Sequence, residues 1–190
     1  MEEINLYNKY NKGRHWEKHP TIYAEYFIKF LKSNHFSGLI VDAGSGTGRD
    51  LEMFYKAGYD AIGIDFSKKE VDNSKKLHPI LKFEFQNIEK MNFKDGDVSA
   101  FFCINVIHYV NKKKAIAELL RCLKNKGYLF IHFTIEIIDK YGSIDCFHSK
   151  EDILNLISKF KVIENKIIER DDTIPVKHHH KIMELILQKP

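Results

Sequence analysis

Three glycines at alternate positions, Gly44, Gly46 and Gly48, follow an apolar run that ends in Asp42. Glycine allows sharp turns and has no Cβ to hold a ligand off the main chain, so this loop can cradle a nucleotide-like ligand against bare backbone, Ser45 included. The carboxylate of Asp42 suits a ligand with a cationic portion better than a pyrophosphate. About twenty residues further on comes Asp65, at the spacing from which an acidic side chain accepts hydrogen bonds from two ribose hydroxyls. Its other use would be to cap the following helix, but Ser67 can fill that role, with Glu70 completing a capping box. Phe66 is placed to pack under an adenine ring. A third group worth weighing is His108, after Asn105-Val106-Ile107: a neutral imidazole there can serve as general base or as a substrate contact.

The spacing also excludes ligands. A dinucleotide fingerprint reads G-x-G-x-x-G, and Arg49 stands where its third glycine belongs; no Gly-Lys-Ser/Thr follows, so this is not a P-loop.

The elements that must position these residues are legible as alternating strands and helices. Leu39 to Asp42 is a buried strand, and a helix starts near Thr47 with Leu51, Phe54 and Tyr55 on its apolar stripe. A second strand runs from Tyr59 into Asp65, a helix covers Lys68 to Leu77, and Leu81–Phe85 alternates like a strand. Asp95-Gly96-Asp97 turns into an apolar central strand, Val98–Ile104. Lys112-Lys113-Lys114 reads as a solvated face at the start of a helix that buries Ile116, Leu119, Leu120 and Leu123, and a fifth strand follows from Tyr128 to Thr134. Ser149 caps a helix carrying Ile153, Leu154, Leu156 and Ile157. Phe160–Ile163 opens a sixth strand, and Ile182–Leu187 alternates as the last, the two forming an antiparallel hairpin. Ahead of all these, Thr21 caps a helix with Ile22, Tyr23, Tyr26, Phe27, Phe30 and Leu31 on one face.

Composition sets broad limits. A chain of 190 residues forms one domain with a sizeable core, and a net charge of +4 leaves no strong footprint for nucleic acid or membrane. Cys103, Cys122 and Cys146 are odd in number and lack metal-ligand spacing, which fits a reducing cytoplasm, the expected location. Of the adjacent histidines His178, His179 and His180, only the first and last share a face of a strand. Zinc would need further ligands and only distant ones such as His148 offer themselves, so no metal is expected and these side chains read as a polar rim.

The stretch Leu39–Asp50 closely resembles motif I of class I S-adenosylmethionine-dependent methyltransferases, in which an acidic residue precedes a G-x-G-x-G loop. The resemblance runs from about Ile22 to Pro190. It implies a doubly wound α/β sheet of seven strands, mostly parallel with the last antiparallel, and helices on both faces. It also implies S-adenosyl-L-methionine as cofactor, S-adenosyl-L-homocysteine as product, and transfer of a methyl group to an acceptor on the substrate. Within it, residues 1–33 would form a helical cap, 34–134 the cofactor-binding core, and 135–190 a C-terminal part with a substrate-side insertion. Asn87 and Ile88 match the adenine-edge loop, though the family more often has Asp. Asn105 matches the turn that passes the reactive methyl, where Val106 and Ile107 replace the two prolines of amino-directed nucleic-acid enzymes; this argues against base N-methylation of DNA, and the small size, with no appended recognition domain, favours a small-molecule acceptor. Tyr10 or Arg14 would meet the methionine carboxylate. Trp16, Tyr109, His148 and His178 join His108 and Tyr10 as candidates for the acceptor pocket, with Trp16 equally able to staple its segment to the core. A non-catalytic S-adenosylmethionine-binding subunit would keep the same loop. An NAD-dependent oxidoreductase would share Asp65 but require glycine at position 49. Neither the acceptor nor the oligomeric state is encoded legibly.

Overall fold

Apolar runs that are buried on both faces make the centre of a sheet, and that is where the chain places them. The computed structural model describes residues 19–139, 141–142, 144–173 and 177–190. Its strands are β1 (Ile40–Ala43), β2 (Ala61–Asp65), β3 (Lys82–Phe85), β4 (Val98–Cys103), β5 (Leu123–Asp139), β6 (Ile144–Cys146), β7 (Lys161–Asp172) and β8 (His178–Gln188). They form one sheet in the order β3-β2-β1-β4-β5-β8-β7, with β6 paired to β5 off this path. The first five strands are mutually parallel, and β8 runs antiparallel between β5 and β7. The seven-stranded path is the one expected; the short β6 hairpin with β5 is additional and occupies the stretch read as an insertion.

Alternation along β4 divides the core. Phe101 and Cys103 face helices α4 (Lys112–Cys122) and α5 (Lys150–Leu156), with Ile116, Leu119, Ile153 and Leu185. Ala100 and Phe102 face α1 (Ile22–Ser33), α2 (Arg49–Lys56) and α3 (Lys68–Leu77), with Phe27, Leu31, Leu51, Phe54, Val71 and Phe130. On this second face Phe102 lies 5.2 Å from both Phe54 and Phe130, and Phe27 lies 5.3 Å from Phe130. Each such pair contributes about 0.5–1.5 kcal/mol beyond its buried area, so α1 and α2 are pinned to the strands whose ends carry the site. As expected, Thr21, Ser67 and Ser149 each cap a helix through the side-chain oxygen.

Several sequence expectations need correction. The helix after the glycine loop begins at Arg49 rather than Thr47, because Gly48 is left-handed at its N-cap. Tyr55 and Leu154 sit on solvent faces, 47% and 49% exposed. Lys112 is not a free solvated lysine: its Nζ donates to the Phe147 carbonyl at 2.9 Å. Strand β8 does not alternate; Ile182 through Leu187 are all buried, since Met183, Leu185 and Leu187 pack into the core on one face, Ile186 into the core on the other, and Glu184 into the polar layer described below. Finally, the last two strands are longer than the stretches read from sequence: β7 extends to Asp172 and β8 starts at His178.

Candidate cofactor and acceptor site

The carboxyl ends of β1 and β2 hold the glycine loop in place through backbone bonds: Gly44 and Ser45 N–H both donate to the Ile64 carbonyl, at 2.8 and 3.0 Å. Gly44 has φ +81°, and a Cβ there would lie 2.2 Å from Val106 Cγ2; at Gly48, with φ +83°, it would lie 2.4 Å from the Phe83 ring. These two glycines therefore let the loop pack against its own protein. Gly46 is held at both ends of its peptide: its N–H donates to Asp65 Oδ2 at 3.1 Å, and its carbonyl accepts from Ser74 Oγ at 2.6 Å. Val106, visible in the sequence only as a missing proline, closes the loop from the β4 side.

Beneath the loop lies an acidic cluster. Asp42 is 4% exposed, and its Oδ2 is buried with no hydrogen-bond partner. Burial, reinforced by the nearby carboxylates of Asp50 and Asp65, holds its carboxyl well above the usual range. Burial likewise raises Asp50, which accepts from the Thr21 N–H at 2.6 Å and so ties the start of α1 to the site. Ser45 Oγ is a second buried oxygen with no partner. A buried, unsatisfied carboxylate oxygen costs free energy, and a ligand bearing an ammonium or sulfonium charge would relieve that cost. These buried acceptor oxygens therefore fit the methionine end of S-adenosylmethionine.

Asp65 is held at the end of β2, its Oδ1 accepting from the Ser67 N–H at 2.8 Å, while the N-cap of α3 is Ser67 itself. Beside it, Phe66 is 58% exposed, an open ring at the end of β2. Asn87 is exposed, with its Oδ1 accepting from the Glu89 N–H at 2.9 Å, while Ile88 is buried beneath it. Asn105 has φ +57°, a left-handed turn immediately after β4.

The candidates for the acceptor side divide. Tyr10, Arg14 and Trp16 lie outside the described residues. His108 sits in a short 3-10 turn (Ile107–Tyr109), its ring 4.0 Å from Tyr109 and 5.4 Å from Phe147. Burial, with His148, His180, Arg170 and Lys112 around it, pushes its pKa down to about 3. It is neutral at physiological pH but a weak base, which favours the contact role over proton abstraction. His148 is buried; its Nδ1 lies 2.7 Å from the Thr134 carbonyl, which assigns the proton to Nδ1 and leaves Nε2 as an acceptor. His178 and His180 are also buried, with ring centroids 4.7 Å apart.

The sequence reading missed the polar layer that links these groups. His132 Nε2 lies 3.0 Å from Glu184 Oε2, both buried, with Tyr23 of α1 edge-on to the imidazole at 4.5 Å. Arg170 bonds to both Tyr23 and Asp172, the latter at 2.9 Å. The available signal was His132 and Thr134, two residues apart in an otherwise apolar run. The groove between α4 and α5, lined by Lys113, Ile116, Leu120 and Lys159 among others, lies away from the glycine loop and gathers none of this chemistry.

Comparison with known proteins gives the same answer as the geometry. Residues 41–131 match a methyltransferase-domain family. A protein of Methanocaldococcus jannaschii is 31% identical over 147 residues, covering 75% of this chain and 55% of that protein. The demethylmenaquinone methyltransferase of Renibacterium salmoninarum is 31% identical over 93 residues, 48% of this chain and 39% of its own length. The chain thus spans about half, or less, of the curated relatives it matches. A solved S-adenosylmethionine-dependent methyltransferase of Methanosarcina mazei superposes with a TM-score of 0.68 at 16% identity, covering 84% of this chain and 96% of its own, a likeness of fold. Strand order, glycine loop and matched sequence converge: residues 41–131 are a methyltransferase domain, and the chain has the class I S-adenosylmethionine-dependent methyltransferase fold.

Proposed function

We propose that this protein transfers a methyl group from S-adenosylmethionine to a small-molecule acceptor. The observation that carries this reading is the buried, unsatisfied carboxylate oxygen of Asp42 beneath the glycine loop. Asp42, Gly44, Ser45, Gly46 and Gly48 hold the methionine portion, with Arg14 or Tyr10 on its carboxylate. Asp65 takes the ribose, and Phe66, Asn87 and Ile88 the adenine. Bound S-adenosylmethionine supplies a methyl already activated on a sulfonium, so the residues around it mainly align the acceptor and exclude water. Asn105 lines the passage to that methyl. His108, Tyr109, His148 and His178, with Trp16, form the acceptor wall; unprotonated His108 and His148 rings accept hydrogen bonds and so favour an acceptor with an O–H, N–H or S–H donor.

A small acceptor is supported by the absence of the proline pair after Asn105 and by the near-balanced charge. No helix among the described residues is long and apolar enough to cross a membrane. The name of the Renibacterium relative makes demethylmenaquinone one reasonable first compound. The test is a screen of thiols, small amines, phenols, quinols and metalloid oxyanions with methyl-labelled S-adenosylmethionine. Label transferred to one class supports the reading. Binding of S-adenosylhomocysteine without transfer to any compound, together with transfer to a protein or RNA fraction, would overturn it.

A further inference from the structure

The face of the β7–β8 ribbon presents a ligand set that the sequence alone could not assemble. In the antiparallel register Arg170 lies opposite His180, and Asp172 lies opposite His178. Directly opposed residues share a face, so these side chains project together. Asp172 Oδ2 is 3.1 Å from His180 Nε2 and 3.9 Å from His178 Nε2, and one donor atom from each of the three residues lies within 4.8 Å of the others. Both imidazoles are buried. Although close to Asp172, His180 Nε2 lacks hydrogen-bond geometry, and its Nδ1 has no partner.

We propose that Asp172, His178 and His180 form a binding site for a divalent transition ion of the zinc or iron(II) type. Two imidazoles and one carboxylate are the usual three-ligand set for such ions, leaving at least one position open. Metal–ligand bonds of about 2.0–2.2 Å put tetrahedral ligand atoms roughly 3.3–3.5 Å apart. The two Asp172–histidine separations, 3.1 and 3.9 Å, bracket that value. Arg170 Nη2 donates to Asp172 Oδ2 at 2.9 Å, which orients the carboxylate and leaves its other lone pairs for the ion. The set is specific to its face: His179 points the other way, 3.0 Å from Asp171. The site adjoins the acceptor pocket, since His180 is among the groups that surround His108.

The test is calorimetric titration of the full chain, purified without a polyhistidine tag, with Zn2+, and in parallel the visible absorption of the Co2+-loaded protein. The expected result is one saturable Zn2+ site and ligand-field bands from bound cobalt. His180→Ala and Asp172→Asn should each weaken Zn2+ at least tenfold, and His179→Ala should leave it unchanged. Asp172 is only half-buried, so its variant reads the site without opening the core. Failure of the wild type to bind Zn2+, or equal losses in the His179 and His180 variants, would overturn the proposal. Titration of the same preparations with S-adenosylhomocysteine keeps the two readings apart: zinc binding without S-adenosylhomocysteine binding removes the methyltransferase function and leaves the metal site, and the reverse removes only the metal site.

Discussion

Asp42→Asn should make the protein more stable and worse at its task. The wild-type carboxyl is 4% exposed, one oxygen has no partner, and Asp50 and Asp65 add like charge nearby. An unsatisfied buried polar group costs about 1–3 kcal/mol, and more when charged. The amide keeps an oxygen for the Leu51 N–H that bonds the wild-type carboxyl and removes the charge, so we expect a gain of about 1–3 kcal/mol. For a chain of this length that is a rise in Tm of roughly 2–12 °C. The sign with pH follows from the raised native pKa. The native state binds a proton that the unfolded state, with a carboxyl near 3.8, has already lost. Wild-type stability from this group therefore falls as pH rises from about 4 through the native pKa, and the penalty is complete above it. The advantage of Asp42→Asn should be largest near neutrality and shrink towards about pH 4. The same change removes a charged partner for the ligand, which should weaken S-adenosylhomocysteine by roughly 1.5–3 kcal/mol, or roughly 10- to 150-fold. Thermal melts from acid to neutral pH, with and without S-adenosylhomocysteine, read both effects. A variant that melts lower at neutral pH, or whose ligand-induced shift matches wild type, would refute the reasoning.

Asp65→Ala should weaken S-adenosylhomocysteine by about 1.5–3 kcal/mol in calorimetry; because it also releases the Gly46 and Ser67 N–H groups, a modest loss of Tm should accompany it. Gly44→Val forces a side chain into Val106 at φ +81° and should abolish detectable cofactor binding, at a strain cost of about 1–3 kcal/mol. Gly58→Val shares a positive φ but meets nothing within 4 Å, so it should lower Tm and leave intrinsic cofactor affinity near wild type. His108→Gln, once the acceptor is known, should raise KM for that acceptor more than it lowers kcat. It should leave the pH profile between about 5 and 8 unchanged, because an imidazole with a pKa of about 3 does not titrate there.

The cofactor half of the site was legible because its signals are local. An apolar run, an acidic residue, three glycines and a helix lie within a dozen consecutive residues, and Asp65 ends the very next strand. The His132–Glu184 polar layer and the Asp172–His178–His180 set were not, because their residues meet only through pairing between distant strands. Asp172 and His178 flank a proline-containing segment, and only their register across β7 and β8 brings them together. The length of β5, from Leu123 to Asp139, was hidden for a related reason: Lys124-Asn125-Lys126-Gly127 has turn composition, and Lys126 does adopt φ +64°. Lys112 looked solvated because the carbonyl it binds, that of Phe147, is far away in the chain. Periodicity failed at β8 because its polar residues, His178, His180 and Glu184, are buried with the apolar ones.

The most direct test of the central claim is a titration of isotope-labelled protein with S-adenosylhomocysteine, followed through its backbone amide resonances. The account predicts saturable shifts at Gly44 through Gly48, at Asp65 to Ser67, at Ile88 and at Asn105, with the amides of the α4–α5 groove unmoved and NAD producing none of these changes. Shifts clustered at that groove instead, or the same response to NAD as to S-adenosylhomocysteine, would contradict it.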